Sequence, residues 1–230
     1  KSMNANFDLT IEKAKRTVPD GVSNRTVFYC NKLIVKQGAR LGIKGESGAG
    51  KTTFLKLISG VITPQSGKIL WGKEDLGLLK DEARDMWRGE NLGLIFQDFR
   101  LFPGLTALEN VLLPFSFRQS IDRELKEKAA QLLGRFNLRA QTCSELLSRG
   151  EMQRVAIVRT LLQKPKVILA DEPTASLDAE NAQLVMSTLM GVVEELGATL
   201  IMVSHDSRVI QQFSHVADLN KGVLEDGIFK

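Results

Sequence analysis

Gly45-Glu46-Ser47-Gly48-Ala49-Gly50-Lys51-Thr52 is the stretch on which the reading of this chain turns. It fits G-x-x-x-x-G-K-[ST], and its flanks supply the setting that pattern requires. Residues 40–43 form a short apolar run of strand type, and residues 52–58 read as a helix closed by Gly60. Gly45, Gly48 and Gly50 let backbone N–H groups approach phosphate oxygens, with Glu46, Ser47 and Ala49 completing the cradle. The helix that follows adds positive potential at its N-terminus. Lys51 is placed to neutralise terminal phosphates and the Thr52 hydroxyl to ligate Mg²⁺, with Thr53 beside it on the first helical turn.

Outward from this loop, the chain alternates strand and helix patterns. Phe7, Leu9 and Ile11 alternate as in a half-buried strand, 19–21 read as a turn, and 27–35 are β-branched and aromatic enough for a second strand. Residues 69–71 and 92–96 are further strand candidates. Residues 167–170 and 199–203 are continuous apolar runs, the pattern of strands covered on both faces in a parallel sheet. Between 98 and 147 the strand signal fades, and Ile121, Leu125, Ala129, Leu132 and Phe136 recur at helical spacing. Leu184, Val185, Leu189, Val192 and Val193 predict another amphipathic helix. The pattern is an α/β core with a helical insert.

Composition agrees. The chain has 230 residues, 43% hydrophobic and 25% charged, enough to build a core without disulfide or metal staples. A net charge of +4 admits a phosphate ligand without demanding nucleic acid. Cys30 and Cys143 match no metal-ligand spacing and read as buried free thiols. No apolar run approaches the roughly 18–20 residues of a membrane span, and the first residues lack the apolar segment of a signal peptide. The expectation is a soluble intracellular chain whose membrane role, if any, comes through a partner.

Two more stretches carry chemistry. Residues 167–172 end a buried apolar run in Asp171 and Glu172, acids that are costly there without work or a partner. Alone, such a pair also suits a surface turn; after a phosphate loop it points to an NTPase. Ser148-Arg149-Gly150-Glu151 opens a helix through Val155, Val158, Leu161 and Leu162, and by pattern alone reads as an ordinary capped helix.

Taken in order, these elements resemble the nucleotide-binding subunit of an ABC ATPase over nearly the whole chain. Residues 45–52 resemble Walker A, and Gln97 resembles the Q-loop glutamine that senses Mg²⁺ and the attacking water. Ser148 to Glu151 resemble the signature loop, and Asp171 and Glu172 the Walker B aspartate and catalytic glutamate. Residues 176–178 resemble the D-loop, with Asp178 at its end, and His205 resembles the switch histidine at the γ-phosphate. The resemblance implies an α/β P-loop NTPase core with a mostly parallel sheet, an antiparallel β subdomain near the N-terminus and an inserted α-helical subdomain. It implies one domain, with residues 1–97 and 148–230 as core and 98–147 as insert. It implies catalysis by Glu172, His205 and Gln97, and Mg²⁺ held by Thr52, Gln97 and Asp171. ATP would be bound by residues 45–53 together with Ser148, Gly150 and Asp178. Two copies would pack head to tail, each ATP lying between one Walker A and the other signature loop, so that ATP closes the homodimer and hydrolysis reopens it.

The stretch 96–111 is similar to the bacterial subgroup of lipoprotein-release, macrolide-export and cell-division ATPases. That implies a separate integral membrane permease docking on the helical subdomain, at the cytoplasmic face of the inner membrane. Phe99, Leu101, Phe102 and Leu105 suit such a docking surface and equally suit packing inside the insert. Two features depart from the family. Arg149 stands where a glycine is usual, and Val18 stands near where an aromatic residue often stacks on the base. These keep open a degenerate regulatory module with slow or no hydrolysis. A DNA- or ribosome-acting ABC ATPase is disfavoured, since the chain has neither a long coiled coil nor a second nucleotide domain, and direct nucleic-acid binding is not expected. A P-loop kinase leaves the Ser148 loop and His205 unexplained.

Overall fold

The computed structural model describes residues 6–21, 23–96, 100–117, 120–175 and 177–230. In chain order the elements begin with β1 (Leu9–Asp20), β2 (Ser23–Val35), β3 (Arg40–Lys44), α1 (Lys51–Ile58), β4 (Ser66–Trp71) and β5 (Glu74–Asp75). They continue with α2 (Asp81–Asn91), β6 (Leu92–Ile95), α3 (Ala107–Ser116), α4 (Arg123–Arg135), α5 (Arg149–Leu162) and β7 (Val167–Asp171). The last are α6 (Ala179–Leu196), β8 (Thr199–Ser204), α7 (Ser207–Ile210), β9 (His215–Asn220), β10 (Val223–Leu224) and β11 (Gly227–Phe229). The chain divides into two compact units. One comprises Lys1–Leu92, Lys166–Asp171 and Gly197–Lys230; the other comprises Gly93–Pro165 and Glu172–Leu196.

The first unit is built on a sheet of order β5-β4-β1-β2-β10-β9-β3-β8-β7, with β11 also pairing β2. The ladders β3–β8, β3–β9 and β7–β8 are parallel, while β1, β2, β4 and β5 pair antiparallel. The difference follows from the side chains. Leu41, Ile43, Val167 to Ala170 and Leu200 to Val203 are almost wholly buried, as parallel strands covered on both faces must be. On β1, Leu9, Ile11 and Ala14 are buried, whereas exposed Glu12 sits across from Lys32 on β2 and Lys68 on β4. That cross-strand charge row marks a wet face. β1 runs on to Asp20, so only Gly21 of the expected 19–21 turn lies outside the strand. Trp71 is buried, donates its indole N–H to the Ile58 carbonyl at 2.7 Å and packs against Phe7 and Trp87. Trp87 lies on α2, a helix whose charged surface hid it from periodicity alone.

The second unit is helical apart from β6. Three of its α-helices start at a side-chain cap. Thr106 and Glu109 form a capping box on α3, Asp122 accepts from the Leu125 N–H on α4, and Ser148 and Glu151 form a capping box on α5. The 121–136 stripe is a helix, beginning at Arg123 because Asp122 caps it. Ala129, Leu133 and Phe136 bury with Val111, Val155 and Val158. The Arg135 guanidinium makes two 2.8 Å hydrogen bonds to Glu195, tying α4 to α6. Buried Asn110 accepts from the Phe102 N–H at 2.7 Å and donates to the Phe102, Leu105 and Thr106 carbonyls, ordering the loop before α3.

The thiols differ from expectation. Cys30 is buried, and that burial pushes its pKa up to about 12. Cys143 is exposed instead: it stands just before a single 3-10 turn, and its backbone bridges Thr106. Among the described residues no helix is long and apolar enough to cross a membrane.

Candidate nucleotide-binding site

The first unit gathers its candidate residues at the carboxyl edge of the parallel strands. β8 lies between β3 and β7, with Lys44 in register with Ser204 and Asp171 with Val203. The Gly45 loop therefore leaves β3, His205 follows β8 and Asp171 ends β7 along one edge, where open α/β sheets bind ligands.

The loop turns back through an Ala49 N–H to Glu46 carbonyl bond of 3.1 Å, and Gly50, with φ 103°, is the N-cap of α1. No acidic side chain occupies the first turn of α1, so its amide potential is not offset locally. Lys51 is only 8% exposed, and its ammonium donates to the Gly45 carbonyl at 2.7 Å and the Glu46 carbonyl at 3.0 Å. Its positive charge is thus held inside the curve of the loop. Glu46, Ser47, Gly48 and Thr52 are exposed, Gly45 and Thr53 half-buried, and Ala49 buried. The Thr52 hydroxyl donates to Asp171 Oδ2 at 3.0 Å. Two hard oxygen donors at hydrogen-bond distance fit Mg²⁺, which keeps most of its shell as water and substrate phosphate. His205 is exposed at the end of β8, and Asp206 after it caps α7 while its carboxylate grips Arg208.

The second unit carries the other candidates. Glu172 is half-buried with φ 48°, a left-handed backbone that a non-glycine residue holds only under constraint. Its carbonyl accepts from the Ala175 N–H at 3.1 Å, so the chain turns sharply after the acid. The Ser148 hydroxyl donates to Glu151 at 2.7 Å, and the Ser148 side chain holds the Glu151 carboxyl below its ordinary range. Gly150 faces Leu177: a Cβ there would lie 2.7 Å from the leucine's Cδ2. Asp178 accepts from the Asn181 N–H at 2.9 Å and its side-chain amide at 2.7 Å, and these bonds lower its pKa. The structure thus sets Gly150 against Leu177, next to Asp178 in the chain. Gln97, Ser176 and Phe99 lie outside the described residues.

Several contributors have no local sequence signal. Arg154, 8% exposed, donates to Asn181 Oδ1 at 2.9 Å and braces the 148–151 helix against the 177–181 turn. Val27, Leu219 and Gly222 form the seat of the phosphate loop. A long-range pair of this kind becomes visible only once the strands are ordered.

The sequence profile of the ABC transporter family matches residues 31–175. The chain is 35% identical to the lipoprotein-releasing system ATP-binding protein LolD of Idiomarina loihiensis, over 94% of this chain and 96% of that protein. It is 40% identical to LolD of Treponema denticola, over 92% and 94% of the two chains. It is similar, with TM-score 0.84 and 33% identity over 94% of this chain and 96% of the other, to a dimeric post-hydrolysis state of the ATP-binding cassette MJ0796 bound to ADP and Pi. With its sequence profile matched over residues 31–175 and relatives aligned nearly end to end, the chain belongs to the ABC transporter family, as an ATPase cassette of that family.

Proposed function

We propose that this chain is the ATP-binding and ATP-hydrolysing subunit of a membrane complex, closing as a homodimer on ATP and reopening after hydrolysis. The observation that carries this reading is the loop itself: a buried Lys51 ammonium inside the curve, with the Thr52–Asp171 oxygen pair at its foot. In this reading residues 45–53 bind the phosphates through backbone amides, and Lys51 exchanges carbonyl partners for phosphate oxygens. Thr52 and Asp171 hold Mg²⁺, with Gln97 as a further ligand. Mg²⁺ held there would supply neutralisation of charge developing on the phosphate oxygens. Glu172 accepts a proton from the attacking water, and His205 contacts the γ-phosphate. Ser148, Gly150 and Asp178 complete the site of the opposing copy. Residues 1–97 and 148–230 act as the nucleotide core and 98–147 as the insert.

The permease is assigned to the insert. Phe102 and Leu146 are strongly exposed, and the Ser144 hydroxyl donates to the Phe102 carbonyl at 3.1 Å, holding the two segments together. Leu101 and Leu105 are half-buried and support the loop from within. The LolD relatives are named for a lipoprotein-releasing system, which supports a membrane partner and a place on the cytoplasmic face of the inner membrane.

The test is the mass of Glu172→Gln in solution, by size-exclusion chromatography with light scattering, with and without ATP–Mg²⁺. A dimer that forms only with ATP supports the reading; a chain that binds ATP and stays monomeric opposes it. One observation favours the second reading, a slow or regulatory module: exposed Arg149 opens α5 where the family usually has glycine. Turnover that rises in Arg149→Gly would support it.

A further inference from the structure

The phosphate loop is held on its outer side by backbone far away in sequence. The Gly222 N–H donates to the Ala49 carbonyl at 2.9 Å, and the Gly222 carbonyl accepts from the Tyr29 N–H at 2.6 Å. At Gly50, a Cβ would lie 2.6 Å from the Val27 carbonyl oxygen and 3.6 Å from the Gly222 Cα. At Gly45, a Cβ would lie 2.7 Å from the Leu219 carbonyl oxygen. Both ends of the loop therefore rest on β9, on the turn that follows it and on β2. The turn is a two-residue hairpin: Asn220 pairs with Val223, and Lys221 and Gly222 have φ 47° and 82°. Two consecutive positive φ values are the signature of a type I′ turn.

The peptide plane gives this contact its consequence. In a trans peptide the carbonyl and the following N–H point in opposite directions. Drawing the Ala49 carbonyl outward to Gly222 aims the Gly50 N–H the other way, off the seat. A flexible glycine loop would otherwise lose that orientation and have to recover it on binding, at the cost of affinity.

We propose that Gly222 is a positioning residue for nucleotide binding, presetting the Ala49–Gly50 peptide so that the Gly50 N–H is ready for phosphate. The inference rests on the reading of residues 45–52 as the phosphate cradle. In Gly222→Ala the new Cβ would sit 3.0 Å from the Val27 carbonyl carbon and oxygen and 3.2 Å from the Thr26 carbonyl oxygen, at a positive φ. The turn must then withdraw from Ala49.

The experiment is ADP titration by calorimetry on wild type, Gly222→Ala and Lys221→Ala, with the nucleotide-free unfolding midpoint measured in parallel. The expected result is ADP affinity weakened about tenfold or more in Gly222→Ala, which is still folded at the titration temperature although its unfolding midpoint is lowered by strain at the turn, with Lys221→Ala binding as wild type. Wild-type affinity in Gly222→Ala overturns the proposal and leaves the cradle intact. Loss confined to Lys221→Ala overturns it in favour of direct side-chain contact. A wild type that does not bind ADP overturns the cradle reading itself. Where Gly222→Ala does not fold, amide hydrogen exchange on the wild type decides. ADP must slow exchange at Gly222 as well as at residues 46–52, and an unchanged Gly222 rate overturns the proposal.

Discussion

The Thr52 hydroxyl lies 3.0 Å from Asp171 Oδ2, joining the first turn of α1 to the end of β7 across 119 residues of sequence. A threonine at the exposed start of a helix has no packing need for a distant carboxylate. The pair has the chemistry of a hard-cation site, and it fixes the rotamer of each donor. Thr52→Val keeps the shape and removes the oxygen. It is expected to abolish the Mg²⁺ dependence of ATP binding while changing stability by about 1 kcal/mol or less. Nucleotide titrations with Mg²⁺ and with chelator check this.

Lys51 is the buried charge of the loop, satisfied by the Gly45 and Glu46 carbonyls. Under the proposed function, Lys51→Ala removes the charge that would face developing negative charge on phosphate. Turnover is expected to fall by about 10²–10³-fold, as when a preorganised donor is deleted from an active site. Phosphate release at saturating ATP measures it. Retained turnover in this variant would mean that the loop is not the catalytic cradle.

Ser148 and Glu151 cap α5 reciprocally, and the hydrogen bonds from Ser148 hold the Glu151 carboxyl below its ordinary 4.5. A carboxyl with a lower pKa folded than unfolded stabilises the fold above its unfolded pKa. That contribution fades as pH falls through the folded value. Glu151→Gln is therefore expected to lower stability modestly at pH 7, where the contribution is present, and to converge with wild type in acid, so that the acid limb of its stability profile is flatter. Ser148→Ala is expected to cost about 1 kcal/mol at neutral pH. Urea unfolding at a series of pH values checks both.

Arg154 and Asn181 link the start of α5 to the turn around Asp178 at 2.9 Å. Arg154 is almost wholly buried and Asn181 half-buried, so loss of either side chain leaves the other short of its partner. A double-mutant cycle of Arg154→Met and Asn181→Ala is expected to show a coupling of about 0.5–3 kcal/mol in stability. Additive effects in chemical denaturation would refute the brace.

Asn110 is fully buried and serves both polar groups of Phe102 as well as the Leu105 and Thr106 carbonyls. Asn110→Ala is expected to destabilise by about 1–3 kcal/mol, because it removes the side-chain partner of the Phe102 N–H and the Leu105 carbonyl, both part-buried. Amide exchange should rise first at residues 102–106, detected by mass spectrometry on peptides from that loop. Uniform change across the chain would contradict a local role.

By itself the sequence determined whatever is local. The glycine spacing of 45–50 set the loop, because Gly48 and Gly50 hold positive φ values that side chains disfavour. The apolar runs at 167–170 and 199–203 set buried parallel strands, and Ser148 set a helix start. The charged surface of α2 and the brevity of β10 and β11 left those elements without a periodic signal. Tertiary structure alone decided which distant groups meet. By inserting β8 between β3 and β7, the sheet brings the Gly45 loop, His205 and Asp171 to one edge, and by hairpin return it seats Gly222 on Ala49. It also exposed Cys143, which composition alone placed inside. Local patterns encode the conformation of a segment and its need for burial. Which partner satisfies a hydroxyl or a peptide carbonyl is settled only when strand order and register are fixed, since those contacts span the chain and no residue beside them announces them.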